Sequence, residues 1–459
     1  MKEVMKSISF RPFIFGVLFC MASPDCVAQE QGFTNGFSFR LMEEVGTEQT
    51  ENVVLSPLSV HFGLSVLQNG ARGNTQAEIL RVLGAEDMDA EELNAYNRAL
   101  CEKLLEEPPY QKEDLKLHSP WDELPIVRIS NAVWVDEAYS VRPQFSGAAD
   151  YWYGADIERV DFADASVMDK IHDWYSQKTD GHITSAGEEA DAETAMMLTS
   201  TILFEGKWAE IFSKKHTHDA EFRNADGSLV KLPTLYTEGD FNVNENDDFY
   251  MVKLLCFPQS SGRYSMSIYL PRHEDAVLDL SDYEELQSGV REEPTIIYLP
   301  KFTVRQNIRM RGVLESLGLH DAFSPFDADF TQLIRSGADC PYLDEINQTC
   351  EITVHEYGVS AVAASSYWYV GWGPIDGQII RFDRPFFYTI EDGATNTILF
   401  LGKVNRLEGE LLEPGKGIET GIEGIDSADT KSQSYRLDGR RADDNTHGIV
   451  IENGRKVLK

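Results

Sequence analysis

Basic residues are scarce in this 459-residue chain: 41 Lys and Arg stand against 76 Asp and Glu, a net charge of −35. A surface so acidic repels phosphate and sulfate polymers, which argues against nucleic acid and heparin-type polyanions as partners. Cysteine is also sparse, with six in all, two of them (Cys20 and Cys26) near the N-terminus. The other four, Cys101, Cys256, Cys340 and Cys350, allow three pairings or four buried free thiols. No C-x-x-C spacing exists. His355-Glu356 begins H-E-x-x-H, but Val359 stands at the second His position, so that zinc motif fails. His216 and His218 lie in a polar K-K-H-T-H-D run and read as solvated rather than metal-binding. There is no G-x-S-x-G elbow, and the Gly415 to Gly424 stretch lacks the strand and helix that a nucleotide loop needs. These absences leave no metal, no cofactor and no enzyme to expect.

The two ends differ from the middle. Lys2, Lys6 and Arg11 precede an apolar run from Phe13 to Ala22, too short for a permanent bilayer span, and Cys26-Val27-Ala28 offers small residues for cleavage. Residues 1–28 therefore read as a signal peptide, and the protein as secreted or displayed at the cell surface. An oxidising destination permits disulfides but does not require them. After residue 408 the composition turns Gly-, Ser- and acid-rich, a flexible linker over 409–433. Residues 434–459 are compact again, with Asn453-Gly454 as a hairpin turn beside an Ile449 to Ile451 strand. Leu437-x-Gly439-Arg440-Arg441, Gly448-Ile449 and Asn453-Gly454-Arg455-Lys456 resemble the C-terminal sorting segments of proteins exported by the type IX route.

Within 29–408, a helix is predicted from Gly32 to Glu44 and a short buried strand over Val53 to Leu55. Ser56-Pro57 then starts an apolar helix, with serine capping its free N–H groups. Residues 106–125 read as a polar insertion. Ile129 to Val135 and Tyr264 to Pro271 read as strands, the second by its period-two alternation. Met168 to Ile183 reads as a helix closed by Gly181. From His355 to Trp372 the chain reads HEYGVSAVAASSYWYVGW: a hinge-capable Gly358, a run of small uncharged residues, then aromatics and glycines. By itself this is an ordinary strand followed by a loop.

Six blocks in order change that reading: NVVLSPLSVHFGLSVLQNGARGNTQAEILRVLG from Asn52, I-x-x-W-x-x-x-x-T-x-G-x-I from Ile171, F-x-G-x-W ending at Trp208, L-P-K-F ending at Phe302, LESLGLHDAF from Leu314, and R-P-F within the closing hairpin from Arg381 to Val404. Over about residues 33–404 the chain resembles the serpin family of protease inhibitors. The resemblance implies an α+β fold: a mixed central sheet, two further sheets, eight to nine helices and an exposed reactive-centre loop. It implies a suicide-substrate inhibitor that traps a protease as a covalent acyl complex when the cut loop inserts into the central sheet. A non-inhibitory serpin, acting as a binding protein or a plain protease substrate, is the alternative.

The resemblance also implies site residues. Glu356, Gly358, Val359, Ser360, Ala361, Val362, Ala363 and Ala364 form the hinge. Ser56, Ser59, Ser200, Trp208, Lys301 and Gln348 line the region where the sheet opens, with Lys301 paired to Glu356 at the base of the loop. Ser200 and Gln348 stand where most members have Asn and His, and are expected to bond each other across the gap. Counting from Gly358 puts the reactive bond at Trp372–Gly373, with Tyr369 and Val370 as alternatives. The partner implied is a chymotrypsin- or elastase-like serine protease or a papain-like cysteine protease, met by a monomer.

Overall fold

The computed structural model describes residues 32–46, 50–106, 125–184, 190–210, 212–256, 262–335, 340–359, 377–412, 434–436, 449–452 and 455–458. The signal-peptide reading, the 106–125 insertion beyond Glu106 and Pro125, the Ser360 to Ala364 part of the hinge, and the reactive-bond residues Tyr369, Val370, Trp372 and Gly373 lie outside them.

Helix α1 (Gly32–Val45) and strand β1 (Val53–Leu55) lead into α2 (Pro57–Gln68). All twelve residues of α2 are buried. A helix apolar on most sides has to lie inside the core, and α2 packs against α1, β4 (Met196–Lys207) and β15 (Thr397–Val404). Pro57 sits in its first turn, as the sequence indicates, but Ser56 does not cap it. The Ser56 hydroxyl is buried without a partner, while its backbone amide and carbonyl are held by the side-chain amide of Gln348. A side chain from 292 positions away thus holds the residue that precedes the helix, without satisfying the free N–H groups of its first turn.

Next come α3 (Gly73–Leu83), α4 (Ala90–Leu104), β2 (Ile126–Asp136), α5 (Pro143–Tyr153), β3 (Asp156–Val160) and α6 (Ser166–Lys178). A reciprocal Asp89–Glu92 box starts α4. α6 ends at Lys178, and Gly181 closes it as the sequence indicates. Asp180 and Gly181 both take left-handed φ values of 50° and 82°, and the Gly181 N–H turns back to the Ser176 carbonyl at 2.8 Å. After β4 come β5 (His218–Arg223), β6 (Leu229–Glu245), β7 (Phe249–Leu255), β8 (Tyr264–Pro271) and α7 (Leu280–Ser288). β8 is buried at every position, because both its faces are covered, so its alternation marks no solvent face. β9 (Arg291–Pro300), β10 (Phe302–Arg309), α8 (Arg311–Ser316), β11 (Glu345–His355), β12 (Gly358–Val359), β13 (Gln378–Arg381), β14 (Phe386–Asp392), β15 and β16 (Glu410–Leu411) complete this unit, which extends to Leu412.

The class is α+β, with eight α-helices among the described residues. The central sheet is mixed, in the order β10-β11-β12-β4-β2-β3. The further strands run as one ten-stranded sheet, β1-β15-β14-β8-β7-β6-β9-β13, with β5 and β16 also on β6. β6 is 17 residues long and pairs with both β7 and β9, so it joins what would otherwise be two sheets. The L-P-K-F block is the crossing between sheets: β9 ends at Pro300 in one and β10 starts at Phe302 in the other. Cys101, Cys256, Cys340 and Cys350 are free thiols, and burial pushes those of Cys256 and Cys350 up to about 12.

The second unit, Glu413–Lys459, contains an antiparallel sheet of β17 (Ser434–Arg436), β18 (Ile449–Glu452) and β19 (Arg455–Leu458). Glu452 pairs with Arg455, the register a two-residue turn imposes.

Candidate functional site

The site is a seam in the central sheet between β4 and β11, strands about 150 residues apart in the chain. It changes along its length. At one end they pair directly and in parallel, from Glu345↔Met197 to Gln348↔Ser200. At the other end β12 lies between them, Gly358 and Val359 pairing antiparallel with His355 and Val354 on one side and Lys207 and Gly206 on the other. In between, Thr349 to Thr353 of β11 and Thr201 to Glu205 of β4 pair outward with β10 and β2, but not across the seam among the described residues.

The hinge therefore starts inside the sheet rather than wholly outside it. Val359 is fully buried, in the same core cluster as Phe204, Ile352 and Val354. Burying a valine contributes about 1.5–3 kcal/mol. Gly358 is required here by close approach: a Cβ on it would fall 2.1 Å from the Gly206 carbonyl oxygen and 2.8 Å from Lys207 Cα. These are backbone atoms of β4 and cannot rotate away. Gly358→Leu is accordingly expected to drive β12 out of the seam. The measurement is amide hydrogen exchange at Val359, where protection should drop at least tenfold, and unchanged protection would disprove the close approach.

Trp208 closes this end. It is 1% exposed. Its indole N–H donates to the His355 carbonyl at 2.9 Å and its backbone N–H to the Tyr357 carbonyl at 2.9 Å. It thus ties the end of β4 to the turn between β11 and β12. Glu356, in that turn, accepts from Lys301 Nζ, 3.0 Å from Oε2 and 3.2 Å from Oε1, and from Thr217 Oγ1 at 3.1 Å. Burial alone would raise the Glu356 carboxyl, but the Lys301 ammonium and the Thr217 hydroxyl hold it below the ordinary glutamate value. The Phe212 N–H donates to the Glu356 carbonyl at 3.0 Å.

Ser200 and Gln348 face each other in register, but they do not bond each other. Ser200 Oγ donates to Asn131 Oδ1 at 2.8 Å, while Gln348 Nε2 donates to the Ser56 carbonyl at 2.6 Å and to Ser59 Oγ at 2.8 Å. The reason is reach. The short serine finds the adjacent strand, and the longer glutamine extends beneath the sheet to the start of α2. No bond joins the two side chains across the seam: Ser200 bonds β2, and Gln348 bonds the start of α2, the helix that packs against β4.

The structure brings together Ser56, Ser59, Ser200 and Gln348 beneath the directly paired part of the seam, and Trp208, Lys301, Glu356, Gly358 and Val359 around the β12 end. Sequence reasoning did not single out Asn131, Thr217 or Tyr357. Nothing local marks them, since each matters through a strand distant in sequence. Gly206, within the F-x-G-x-W block, was the one available signal: a Cβ there would meet the Phe204 ring at 2.7 Å and Cys256 Sγ at 3.0 Å.

A family model described as Serpin (serine protease inhibitor) matches residues 33–407. An uncharacterized serpin-like protein of Thermococcus kodakarensis is 28% identical over 380 residues, covering 81% of this chain and 84% of that one. Human neuroserpin is 27% identical over 372 residues, covering 78% and 87%. Among solved structures, the thermophilic serpin tengpin in its native state aligns with a TM-score of 0.73 at 27% identity, over 83% of this chain and 94% of that one. Thyroxine-binding globulin in complex with thyroxine aligns with a TM-score of 0.71 at 20% identity, over 82% and 99%, a likeness of fold alone.

Proposed function

The chain belongs to the serpin family, and from that premise we propose that it is a secreted suicide-substrate inhibitor of proteases, not an enzyme, acting as a monomer without cofactor. The observation that carries this reading is β12, a strand already paired on both sides at the start of the hinge. Extending its register, inserted Ser360 to Ala364 would fall opposite Glu205 to Thr201 and Thr353 to Thr349, the five positions on each strand without a β-pairing partner across the seam among the described residues. The hinge residues match that section in number. They are small and carry no charge or proline. Beyond them, Ser365 falls opposite Ser200 and Gln348, where the direct β4–β11 pairing begins. Insertion then has two stages: filling an unpaired section, and unzipping a paired one.

The protease nucleophile attacks the carbonyl of Trp372, forming an acyl-enzyme and releasing Gly373 as a new N-terminus. The freed segment enters the seam and carries the acylated protease with it before water can hydrolyse the bond. The apolar run makes Tyr369 and Val370 further cutting positions. Chymotrypsin-like enzymes are the first candidates, then elastase-like and papain-like ones. Incubation with a panel of these proteases tests the reading. An SDS-stable complex is expected with at least one, and the small fragment from it should begin at Gly373. Cleavage by all of them without a stable complex would overturn the inhibitory reading.

The second reading, a serpin that is simply cleaved or serves as a binding protein, is favoured by Tyr367. In the extended register it faces Leu198 and Ile346, both fully buried. A phenol packed there leaves its hydroxyl to be satisfied. Heating separates insertion from simple cleavage: the loop-cleaved protein should melt well above the intact one if the segment inserts, and no higher if it does not.

Residues 1–28 are proposed as the signal peptide, 29–408 as the serpin domain, 409–433 as the linker and 434–459 as a sorting segment of the type IX kind. Deleting 434–459 is expected to leave inhibition intact and to redirect the protein. Fractionation of the producing cells is the check, and unaltered surface delivery of the truncated protein would remove the sorting role.

A further inference from the structure

One buried polar side chain is left over in the closed part of the seam. Asn347, on β11, is fully buried, and neither its Oδ1 nor its Nδ2 has a hydrogen-bond partner among the described residues. An unsatisfied buried amide is costly, and most such groups in native proteins are paired. Its neighbours make the omission specific. Side chains alternate across a strand. Gln348 bonds Ser56 and Ser59, and Ile346 joins the core cluster that holds Val60 and Leu64 of α2. Asn347 therefore faces the other way, toward the layer where Ile171 and Tyr175 of α6 pack with Trp134 of β2 and Met197 of β4. Thr199, Thr201 and Thr349 share that face, and all three are buried. Each of their hydroxyls is engaged. Trp134 Nε1 donates to Thr199 Oγ1 at 2.9 Å, Thr201 Oγ1 donates to the Thr349 carbonyl at 3.5 Å, and Asn307 Nδ2 donates to Thr349 Oγ1 at 2.7 Å. Of these four residues only Asn347 has an idle side chain.

The position of Asn347 says what would use it. It pairs with Thr199 in the directly joined section of the seam. The register that β12 holds against β4 and β11, continued into that section, would place Ser366 between Thr199 and Asn347. Residues directly opposite on neighbouring strands point to the same face. Ser360, Val362, Ala364, Ser366 and Trp368 would all share the face of Asn347, and only the two serines among them carry a hydroxyl. Ser360 would lie far up the seam, opposite Glu205 and Thr353, which leaves Ser366 at the idle amide. A hydroxyl both donates and accepts, so it suits an amide whose donor and acceptor are both unused.

We propose that Asn347 is a positioning residue for the inserted strand, its side-chain amide matched to the hydroxyl of Ser366. The proposal rests on the reading of 360–376 as a segment that inserts once it is cut, and it adds what fixes the register of the insert. A run of alanine and serine specifies register weakly, because such small side chains fit either face of a sheet. A slip of one residue turns every side chain of the insert to the opposite face. A slip of two keeps the faces and brings Ala364 or Trp368 to Asn347. A methyl group and an indole each lack the pairing of donor with acceptor that the amide needs. One polar contact inside a packed layer thus selects a single alignment, as buried polar residues do where apolar packing leaves the register open.

The test is a double-mutant cycle on the full chain, with Asn347→Leu and Ser366→Ala made singly and together. Each protein is studied intact and after its loop has been cut by a protease of the panel, and unfolding rates are read at one fixed guanidinium concentration for each form. In the cleaved form either single change strands one buried partner and should speed unfolding about fivefold or more, whereas the double change strands neither and should stay within about twofold of wild type. In the intact form Ser366→Ala should change nothing, Asn347→Leu should unfold no faster than wild type, and the two should show no coupling. Asn347→Val, with less bulk beneath α6, guards against overpacking. Additive effects in the cleaved form would overturn the pairing. So would faster unfolding of both intact Asn347 variants, since the amide would then have a partner in the closed seam. If cleavage leaves wild type melting no higher than the intact protein, insertion itself fails and the pairing falls with it. A large rise on cleavage combined with additive effects would sink the pairing alone.

Discussion

Ala361→Arg is expected to convert the protein from an inhibitor into a plain substrate while leaving the intact form folded. Val359 is fully buried and pairs with Val354 and Gly206. Side chains two apart along a strand share a face. Continuing the register places Ala361 between Ile352 and Phe204, which are 0% and 2% exposed and belong to the same core cluster as Val359. An arginine inserted there falls among the buried apolar side chains of that cluster, and an unpaired buried charge costs several kcal/mol. Insertion then loses its race against hydrolysis of the acyl-enzyme. The yield of SDS-stable complex should fall at least tenfold and turnover of the loop should rise, with the melting temperature of the intact protein within a few degrees of wild type. Wild-type complex yield in this variant would refute the assigned register and insertion together.

Trp208→Ala is expected to be the most destabilising single change at the site. The indole is 1% exposed and packs edge-on to Phe212 at 6.4 Å. Its removal leaves a cavity and strips the His355 carbonyl of its indole donor. Tryptophan-to-alanine changes in cores cost about 3–5 kcal/mol. Trp208→Phe retains most of the packing and loses the hydrogen bond, a cost of about 1 kcal/mol beyond the packing lost. The check is the urea midpoint of the intact protein at constant slope. A loss below about 1 kcal/mol for the alanine variant would mean that the β12 end of the seam is held by other contacts, with Lys301–Glu356 the first to examine. That pair, with the Lys301 side chain 35% exposed, contributes little by itself.

Much of the body was legible in the chain because the signals are local. Pro57 starts α2, Tyr264 to Pro271 is β8, Glu452 and Arg455 pair as a two-residue hairpin turn between them requires, and the order of six short blocks carried the fold. The Lys301–Glu356 contact was anticipated through the family resemblance, not from spacing. Where local reasoning failed, a distant group decided the outcome. Ser56 has the right residue type for a cap, but Gln348 holds its backbone instead. Ser200 and Gln348 were placed opposite each other correctly, yet Ser200 bonds Asn131 of β2 and Gln348 bonds Ser56 and Ser59 at the start of α2.

The elements, the acidic surface and the small, uncharged hinge follow from residue type and from neighbours within a few positions, so the chain alone carries them. Long-range packing sets the rest: the seam is paired at one end, lacks cross-strand pairing over five positions among the described residues, and is already occupied by Gly358 and Val359 at the other. Cross-strand register is a relation between β4 and β11, set by how their buried faces meet α2 and the ten-stranded sheet. Likewise Gly358 looks like any flexible glycine in the chain, and its necessity comes from a β4 backbone carbonyl that would lie 2.1 Å from any Cβ placed there.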